Sequence, residues 1–306
     1  MVCLSCPRRC AVDRSRQRGF CGAPAELQVS AVCLHRGEEP VLTGASAGSA
    51  PSGIVNIFFS HCSLQCIYCQ NAAISGHDVD DTLVHYRSVD AVADRVVQLL
   101  PQSSGLVGLV TAAHYVDYVV PLVEAIHRRG FHPAVVYNSS GYEDVDALRS
   151  LEGIVDIYLP DFKYMDPRLA EVCSHAADYP QVATKAIAEM YRQVGSGLLT
   201  DDGIAFRGMI IRHLVLPGHV DNSLACLDWI ADHLPSNIHL SLMAQYFPPD
   251  GIALPAPLDR TLTDDEYKTV VDHCNRLGFS RGWLQEMSSQ HCYRPDFTNP
   301  VNPFEA

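Results

Sequence analysis

The chain has 306 residues, 47% hydrophobic and 19% charged, with a formal net charge of -13 and a pI near 5.4. This composition is globular, with enough chain for one large barrel or two ordinary domains, and it argues against a disordered chain. The acidic balance argues against nucleic-acid or anionic-membrane partners, no stretch approaches about 18 apolar residues, and Met1–Cys10 lacks a signal-peptide core, so a cytoplasmic protein is expected.

Of the twelve cysteines, two tight groups stand out, Cys3/Cys6/Cys10 and Cys62/Cys66/Cys69, with Cys21 close to the first. In a reducing compartment such grouping means metal more often than disulfides. Residues 1–50 read as a Cys-rich N-terminal element. Its Cys3-x2-Cys6-x3-Cys10-x10-Cys21 pattern offers four ligands, the number that closes a site. Spacing alone leaves open a structural zinc, a second [4Fe–4S] cluster or four free thiols. In the string His35-Arg36-Gly37-Glu38-Glu39-Pro40, at least one of the two glutamates reads as part of a solvated turn, and His35 as a packed or capping histidine. The Gly/Ser/Ala-rich stretch Gly44 to Gly53 reads as a loop.

The apolar run Ile54–Phe59 predicts a strand that delivers the chain into the loop of Cys62, Cys66 and Cys69. Three thiolates can hold three corners of a cubane iron–sulfur cluster. Four would close every iron, whereas three leave one iron open to a ligand. The alternatives are a zinc site, for which only His61 stands nearby as a fourth ligand, or three reduced structural thiols.

Beyond the loop, strand-like and helix-like segments alternate. Helices are expected over residues 88–100, 116–129, 143–151, 179–194, 223–234 and 264–277, and strands over 106–111, 133–138, 154–159, 208–216 and 238–243, with a last short strand within 279–285. The alternation predicts an α/β fold whose parallel sheet is built from right-handed crossovers. This alternating domain, which a family resemblance implies is a barrel, is expected over 51–286. A tail, 287–306, is expected to fold across the barrel mouth or its side. The loop Gly195 to Gly203 reads as a rim element beside a lateral gap. Chemistry in parallel barrels collects at the C-terminal ends of strands. Those ends carry Thr111 and His114, Asn138 and Ser139, Asp161 and Lys163, Arg212, and Gln245.

The Cys62, Cys66, Tyr68, Cys69 pattern, Cys-x3-Cys-x-aromatic-Cys, resembles the signature of radical S-adenosylmethionine (SAM) enzymes. The His-x-Gly-Glu-Glu-Pro string, the four earlier cysteines and Cys69-Gln70-Asn71 narrow the resemblance to a branch similar to pyruvate formate-lyase activating enzyme. So do Asp-x3-Pro-Asp-Phe-Lys at 156–163 and Ile-Arg-x-Leu-Val-Leu-Pro-Gly at 211–218. The resemblance implies a partial (β/α)6 TIM-like barrel. It implies a [4Fe–4S] cluster on Cys62, Cys66 and Cys69, SAM on the fourth iron, and Tyr68 beside the adenine. Ribose hydroxyls would suit Asn138, Ser139 and Gln245, and the SAM carboxylate would suit Lys163 or Arg212. Asp161 divides between a SAM contact and a salt bridge with Lys163. Thr111-Ala112-Ala113-His114 stands where many family members carry Gly-Gly-Glu, which makes Thr111 the candidate amino contact and leaves His114 as a substrate contact or a packed histidine. The implied activity is reductive SAM cleavage fed by a flavodoxin- or ferredoxin-like donor. The resulting radical would abstract hydrogen from a glycyl-radical protein, a small molecule or another peptide. The rival of another class is a non-enzymatic iron–sulfur electron carrier, against which the missing fourth cysteine near Cys69 argues.

Overall fold

The computed structural model describes residues 2–44, 52–249, 251–291 and 294–305. Among the described residues nine strands form one sheet: β1 (Val29–His35), β2 (Ile54–Phe59), β3 (Leu106–Val110), β4 (Ala134–Ser139), β5 (Ile157–Pro160), β6 (Leu199–Asp201), β7 (Ile204–Leu214), β8 (His239–Met243) and β9 (Gly282–Leu284). The order is β1-β2-β3-β4-β5-β7-β8-β9, with β6 on β7. From β2 to β9 every pairing along that path is parallel, whereas β1 joins β2 antiparallel. The edge strands β1 and β9 do not meet, so the barrel is partial. The sheet therefore begins within the segment expected to be a separate N-terminal element.

Side chains alternate along each strand and divide two cores. Val55, Ile57, Val107, Leu109, Val135, Tyr137, Tyr158, Met209 and Ile211 face the surrounding helices. Ile54, Leu106, Val136, Ile157, Leu159 and Ile210 face inward and pack around Leu42, which the short helix Pro40–Thr43 carries into the barrel. Helix Val89–Leu99 starts where the Ser88 hydroxyl accepts from the Ala91 amide at 3.2 Å. Helix Asp264–Arg276 starts at a capping box of Thr263 and Glu266.

Three segments depart from the sequence reading. Helix 116–129 is a 3-10 segment, Ala113–Tyr118, broken at Tyr115 and followed by an α-helix, Val119–His127. Pro167–Ser174 is a helix that periodicity did not reveal, although Asp166 and Pro167 are a cap and a first-turn proline. The loop 195–203 is not a rim element at the barrel mouth. Asp202 and Gly203, at φ 47° and 78°, turn β6 back onto the first residues of β7, at the opposite end of the strand from Arg212. An Asp-Gly pair between strands favours such a hairpin, because both central residues need positive φ.

Behind β1 the chain turns into the barrel, and Glu38 and Glu39 are both buried, not a solvated turn. Arg212 donates from Nε to Glu39 Oε1 at 2.9 Å and from Nη2 to Glu39 Oε2 at 2.6 Å, and Nη2 also bonds Glu38. Asn56 Nδ2 donates to Glu38 Oε1 at 2.7 Å, and His35 Nδ1 lies 3.1 Å from the same oxygen. Gly108 makes room for Asn56, since a Cβ there would lie 2.0 Å from Asn56 Oδ1. Burial alone would raise the Glu38 carboxyl, but the Arg212 charge and then His35 outweigh it and hold Glu38 well below the usual carboxylate range.

The described part of the tail bridges the two sides of the open sheet. Arg294 lies over the Phe247 ring, just past β8, at 4.3 Å. Phe297 and Phe304 pack on the Phe58 ring of β2 with centroids at 5.7 and 5.5 Å, and Asn302 Nδ2 donates to Leu34 O of β1 at 2.9 Å. Residues 45–51 of the expected loop, and Cys292 and Tyr293 of the tail, lie outside the described residues.

Breaking a buried pair leaves a charge without its partner, which costs about 3–5 kcal/mol. Arg212→Met, which leaves Glu38 and Glu39 buried without their cation, is therefore expected to lower the unfolding free energy by at least that amount in urea titrations. Glu305→Ala, which removes the exposed pair with Arg36 at 2.7 Å, is expected to cost less than about 1 kcal/mol. Equal shifts in the two variants would refute the central role of the buried pair.

Candidate active site

β2 ends at Phe59, and the chain must turn sharply to present three thiols over the barrel. His61 and Gln65 take positive φ, 69° and 55°, conformations that non-glycine residues adopt only when held. His61 is held by Gln28, whose Oε1 lies 2.8 Å from Nε2, and by Gly76 O at 3.2 Å from Nδ1. Both ring nitrogens are occupied, so His61 is packing rather than a fourth ligand. Gln65 is held by its own side chain, which donates to Phe20 O at 2.8 Å.

Each thiol of the loop receives a donor. Leu64 N lies 3.3 Å from Cys62 Sγ, the Ser174 hydroxyl donates to Cys66 Sγ at 3.0 Å, and the Ser75 hydroxyl to Cys69 Sγ at 3.2 Å. Burial pushes the Cys62 thiol up to about 12, and it raises Cys69 as well. These donors suit sulfurs that carry negative charge, and in this dry setting a bound cation or cluster is what would draw the protons off. Among the described residues no three Cys, His, Asp or Glu side chains converge on one point as a single ion requires. A cubane spreads its ligands around a larger body, so that finding bears on a lone zinc ion and not on a cluster.

The three cysteines, with Tyr68, Thr111, Asn138, Asp161, Lys163, Arg212 and Gln245, line one cavity of about 440 Å3 at the C-terminal ends of the strands. Tyr68 is buried, its hydroxyl bonded to Tyr164 and its ring 5.7 Å from that of Tyr246. Tyr164 continues at 2.8 Å to Ser174 Oγ, which reaches Cys66. Thr111 holds φ 61°. Lys163 Nζ donates to Asp161 Oδ2 at 2.6 Å, so the salt bridge is present. Burial opposes the Lys163 charge, but Asp161 and the sulfurs of Cys66 and Cys69 hold its pKa above the usual lysine value. Gln245 belongs to an amide ladder. Its Nε2 donates to Gln70 Oε1 at 3.1 Å, and its Oε1 accepts from Gln285 Nε2 at 2.8 Å.

Three sequence candidates take other roles. Arg212 reaches the cavity already engaged by Glu38 and Glu39, so it is an internal ion pair and not a free cation for a ligand carboxylate. Ser139 borders the cavity, but its hydroxyl donates to Glu143 Oε1 at 2.6 Å and accepts from Gly141 N at 2.9 Å, inside its own turn. His114 is fully buried beneath the loop, with Nε2 2.8 Å from Ser60 O, a packed histidine and no substrate contact. Spacing did not reveal Ser75, Ser174, Tyr164, Glu38, Glu39 or Gln285. The cap Asp166-Pro167 was a local signal for the helix that ends at Ser174, but its approach to Cys66 is tertiary.

The N-terminal cysteines gather on the outer side of this loop. Burial pushes Cys6 up to about 12, and Cys21, Cys3 and Cys10 are each close enough to add to the shift. Phe20 N donates to Cys10 Sγ at 3.3 Å and Ala23 N to Cys21 Sγ at 3.4 Å. Three of the four thiols accept a backbone amide, but among the described residues no three of them converge on one point as a single ion requires.

No protein-family model matches the chain. It is 28% identical over 277 residues to the uncharacterized protein MJ0674 of Methanocaldococcus jannaschii, covering 88% of this chain and 73% of that protein. Among solved structures, it is similar to Streptococcus suis SuiB bound to S-adenosylmethionine, at 11% identity and TM-score 0.48 over 74% of this chain. It is similar to methylornithine synthase (PylB) at 13% identity and TM-score 0.46 over 73% of the chain, and to HydG, a maturase of the [FeFe]-hydrogenase, at 12% identity and TM-score 0.49 over 73%. The chain spans 48%, 61% and 49% of the lengths of these three chains. Likeness of this degree leaves the functional reading to the chain's own residues. No helix among the described residues is long and apolar enough to cross a membrane.

Glu143, buried under the turn after β4, has its carboxyl raised to about 7, because desolvation outweighs the hydrogen bonds from Ser139 and Tyr137. A carboxyl raised in the folded state holds its proton there over a range in which the unfolded chain has lost it. Stability therefore falls as pH rises from about 4.5 to about 7, by roughly 3 kcal/mol. Glu143→Gln is expected to remove that loss, so that denaturant midpoints at pH 5 and pH 8 differ less than in the parent. An unchanged pH dependence would contradict the assignment.

Proposed function

We propose that the chain is a radical SAM enzyme, with Cys62, Cys66 and Cys69 as the protein ligands of a [4Fe–4S] cluster. The observation that carries the reading is the placement of these three thiols, each with its own donor, on the wall of one cavity at the strand ends. Once reduced by a flavodoxin- or ferredoxin-like donor, such a cluster would supply the electron that splits SAM into methionine and a 5′-deoxyadenosyl radical. The chain's own residues bind, orient and exclude water. Lys163, fixed by Asp161 and facing the Cys66 and Cys69 sulfurs, is the cation for the SAM carboxylate. Tyr68, pinned through Tyr164 and packed against Tyr246, gives a rigid aromatic wall for the adenine. Asn138 and Gln245 offer ribose partners, and Thr111 is the candidate for the amino group.

The substrate side of the cavity supports a compact substrate. Phe304 and Trp283 line it, and below them lies the Glu38–Arg212 pair. A glycyl-radical protein, which the resemblance allows, would have to insert a backbone loop through the open side of the barrel. Phe297, Asn302 and Phe304 occupy that side. For the N-terminal cysteines, expected to hold zinc or a second cluster, we propose the cluster, since no three described ligands converge as a single zinc ion requires.

Anaerobically reconstituted protein, reduced with dithionite, is expected to release 5′-deoxyadenosine from SAM and to show a [4Fe–4S]⁺ EPR signal that SAM perturbs. Cys66→Ala should abolish both. A wild-type signal indifferent to SAM, without deoxyadenosine, would sink the proposal. Lys163→Ala should keep the iron and weaken SAM binding about tenfold to a hundredfold, the loss of one charge-assisted hydrogen bond. Equal affinity in parent and variant by isothermal titration would remove Lys163 from the site.

A further inference from the structure

Arg8 lies between Cys6 and Cys10 in sequence, yet its guanidinium reaches the other thiol site. Nε donates to Ser63 O at 2.8 Å, Nη2 to Ser174 O at 3.0 Å, and Nη1 bonds His175 O. Ser63 follows Cys62 directly, and Ser174 is the residue whose hydroxyl donates to Cys66 Sγ. The guanidinium also stacks on the Phe20 ring, 3.8 Å from its centroid. A second tie runs the other way. Gln65, which precedes Cys66 and holds positive φ, donates to the carbonyl of Phe20, which precedes Cys21. At its own end Arg8 is anchored by Cys6, whose sulfur accepts the Arg8 backbone amide and whose carbonyl accepts from Arg9 N at 3.0 Å. A planar guanidinium can hold three carbonyls in fixed directions, which an ammonium could not do.

We propose that the N-terminal thiol element clamps the barrel's thiol loop through Arg8 and Gln65, so that the integrity of the first site sets the geometry of the second. Both are positioning residues. They hold the backbone on either side of Cys62 and Cys66 in its strained shape, and anything that loosens the turn at Cys6 loosens that shape too. The inference concerns the Cys62, Cys66 and Cys69 site of the proposed function, but its test needs neither cluster nor SAM. A failure here would therefore leave the enzymatic reading standing.

The experiment is anaerobic alkylation of the metal-free full chain with iodoacetamide at fixed pH, with each site followed by mass spectrometry. The readout is the rate at Cys66 divided by the rate at Cys226, a fully buried thiol of helix Val220–His233 that reports unfolding. Arg8→Ala and Cys6→Ala are each expected to raise that ratio about tenfold, as loss of a hydrogen-bonded clamp frees a local segment. Gln65→Ala should raise it in the same direction. An unchanged ratio in either Arg8→Ala or Cys6→Ala overturns the coupling. That includes the case in which both rates rise together, since global unfolding exposes the two thiols alike.

Discussion

A guanidinium inside a barrel has little water to solvate it, and the interior of this protein is built around that fact. Arg212 points inward from β7 because strand alternation leaves it no other face. Its charge is tolerable only beside carboxylates. The chain provides two, on a segment that leaves the sheet edge after β1 and turns into the barrel. That segment then carries Leu42 down into the inner core, so one ion-paired layer separates a packed apolar floor from the open cavity above. The volume left over, about 440 Å3, is set as much by this insertion as by the strands themselves.

Above the floor, the thiol loop is shaped from outside. Its strained residues, His61 and Gln65, are each held by side-chain hydrogen bonds to parts of the chain distant in sequence, Gln28 and Phe20. Its sulfurs take donors from the loop itself, from Ser75 and from Ser174. A site that must hold a reactive group rigidly gains from such support, since a group positioned by a free loop would wander. The N-terminal element and the C-terminal tail play matching parts, one bracing the loop from its outer side, the other covering the open side of the sheet.

Most strands and most of the longer helices were legible because burial imposes periodicity on them. Ile54–Phe59 and helix Tyr179–Val194 have the bounds read from their apolar pattern. β1 was hidden by its neighbours. Val29 to His35 is buried along its whole length, so it shows no alternation, and the cysteines before it drew the whole stretch into one element. The hairpin at Asp202-Gly203 carried a legible turn pair, but it was read as part of a rim loop. That the three cysteines, Tyr68 and Lys163 would border one cavity was legible from spacing and position at strand ends. The roles of Ser139, His114 and Arg212 were not, because each depends on which partner reaches it first, Glu143, Ser60 or the glutamate pair.

The sequence by itself determined the alternating α/β architecture, the thiol triplet and the strand-end positions of its neighbours, since these follow from local periodicity and covalent spacing. Only the tertiary structure decided which polar groups remain available to a ligand. Hydrogen-bond capacity is finite, and a buried donor or acceptor takes whatever partner the fold brings within about 3 Å. Lys163 lines the cavity with Cys66 and Cys69 and has one carboxylate partner, the nearby Asp161, while Arg212 is taken by two, Glu38 and Glu39, which lie far from it in sequence.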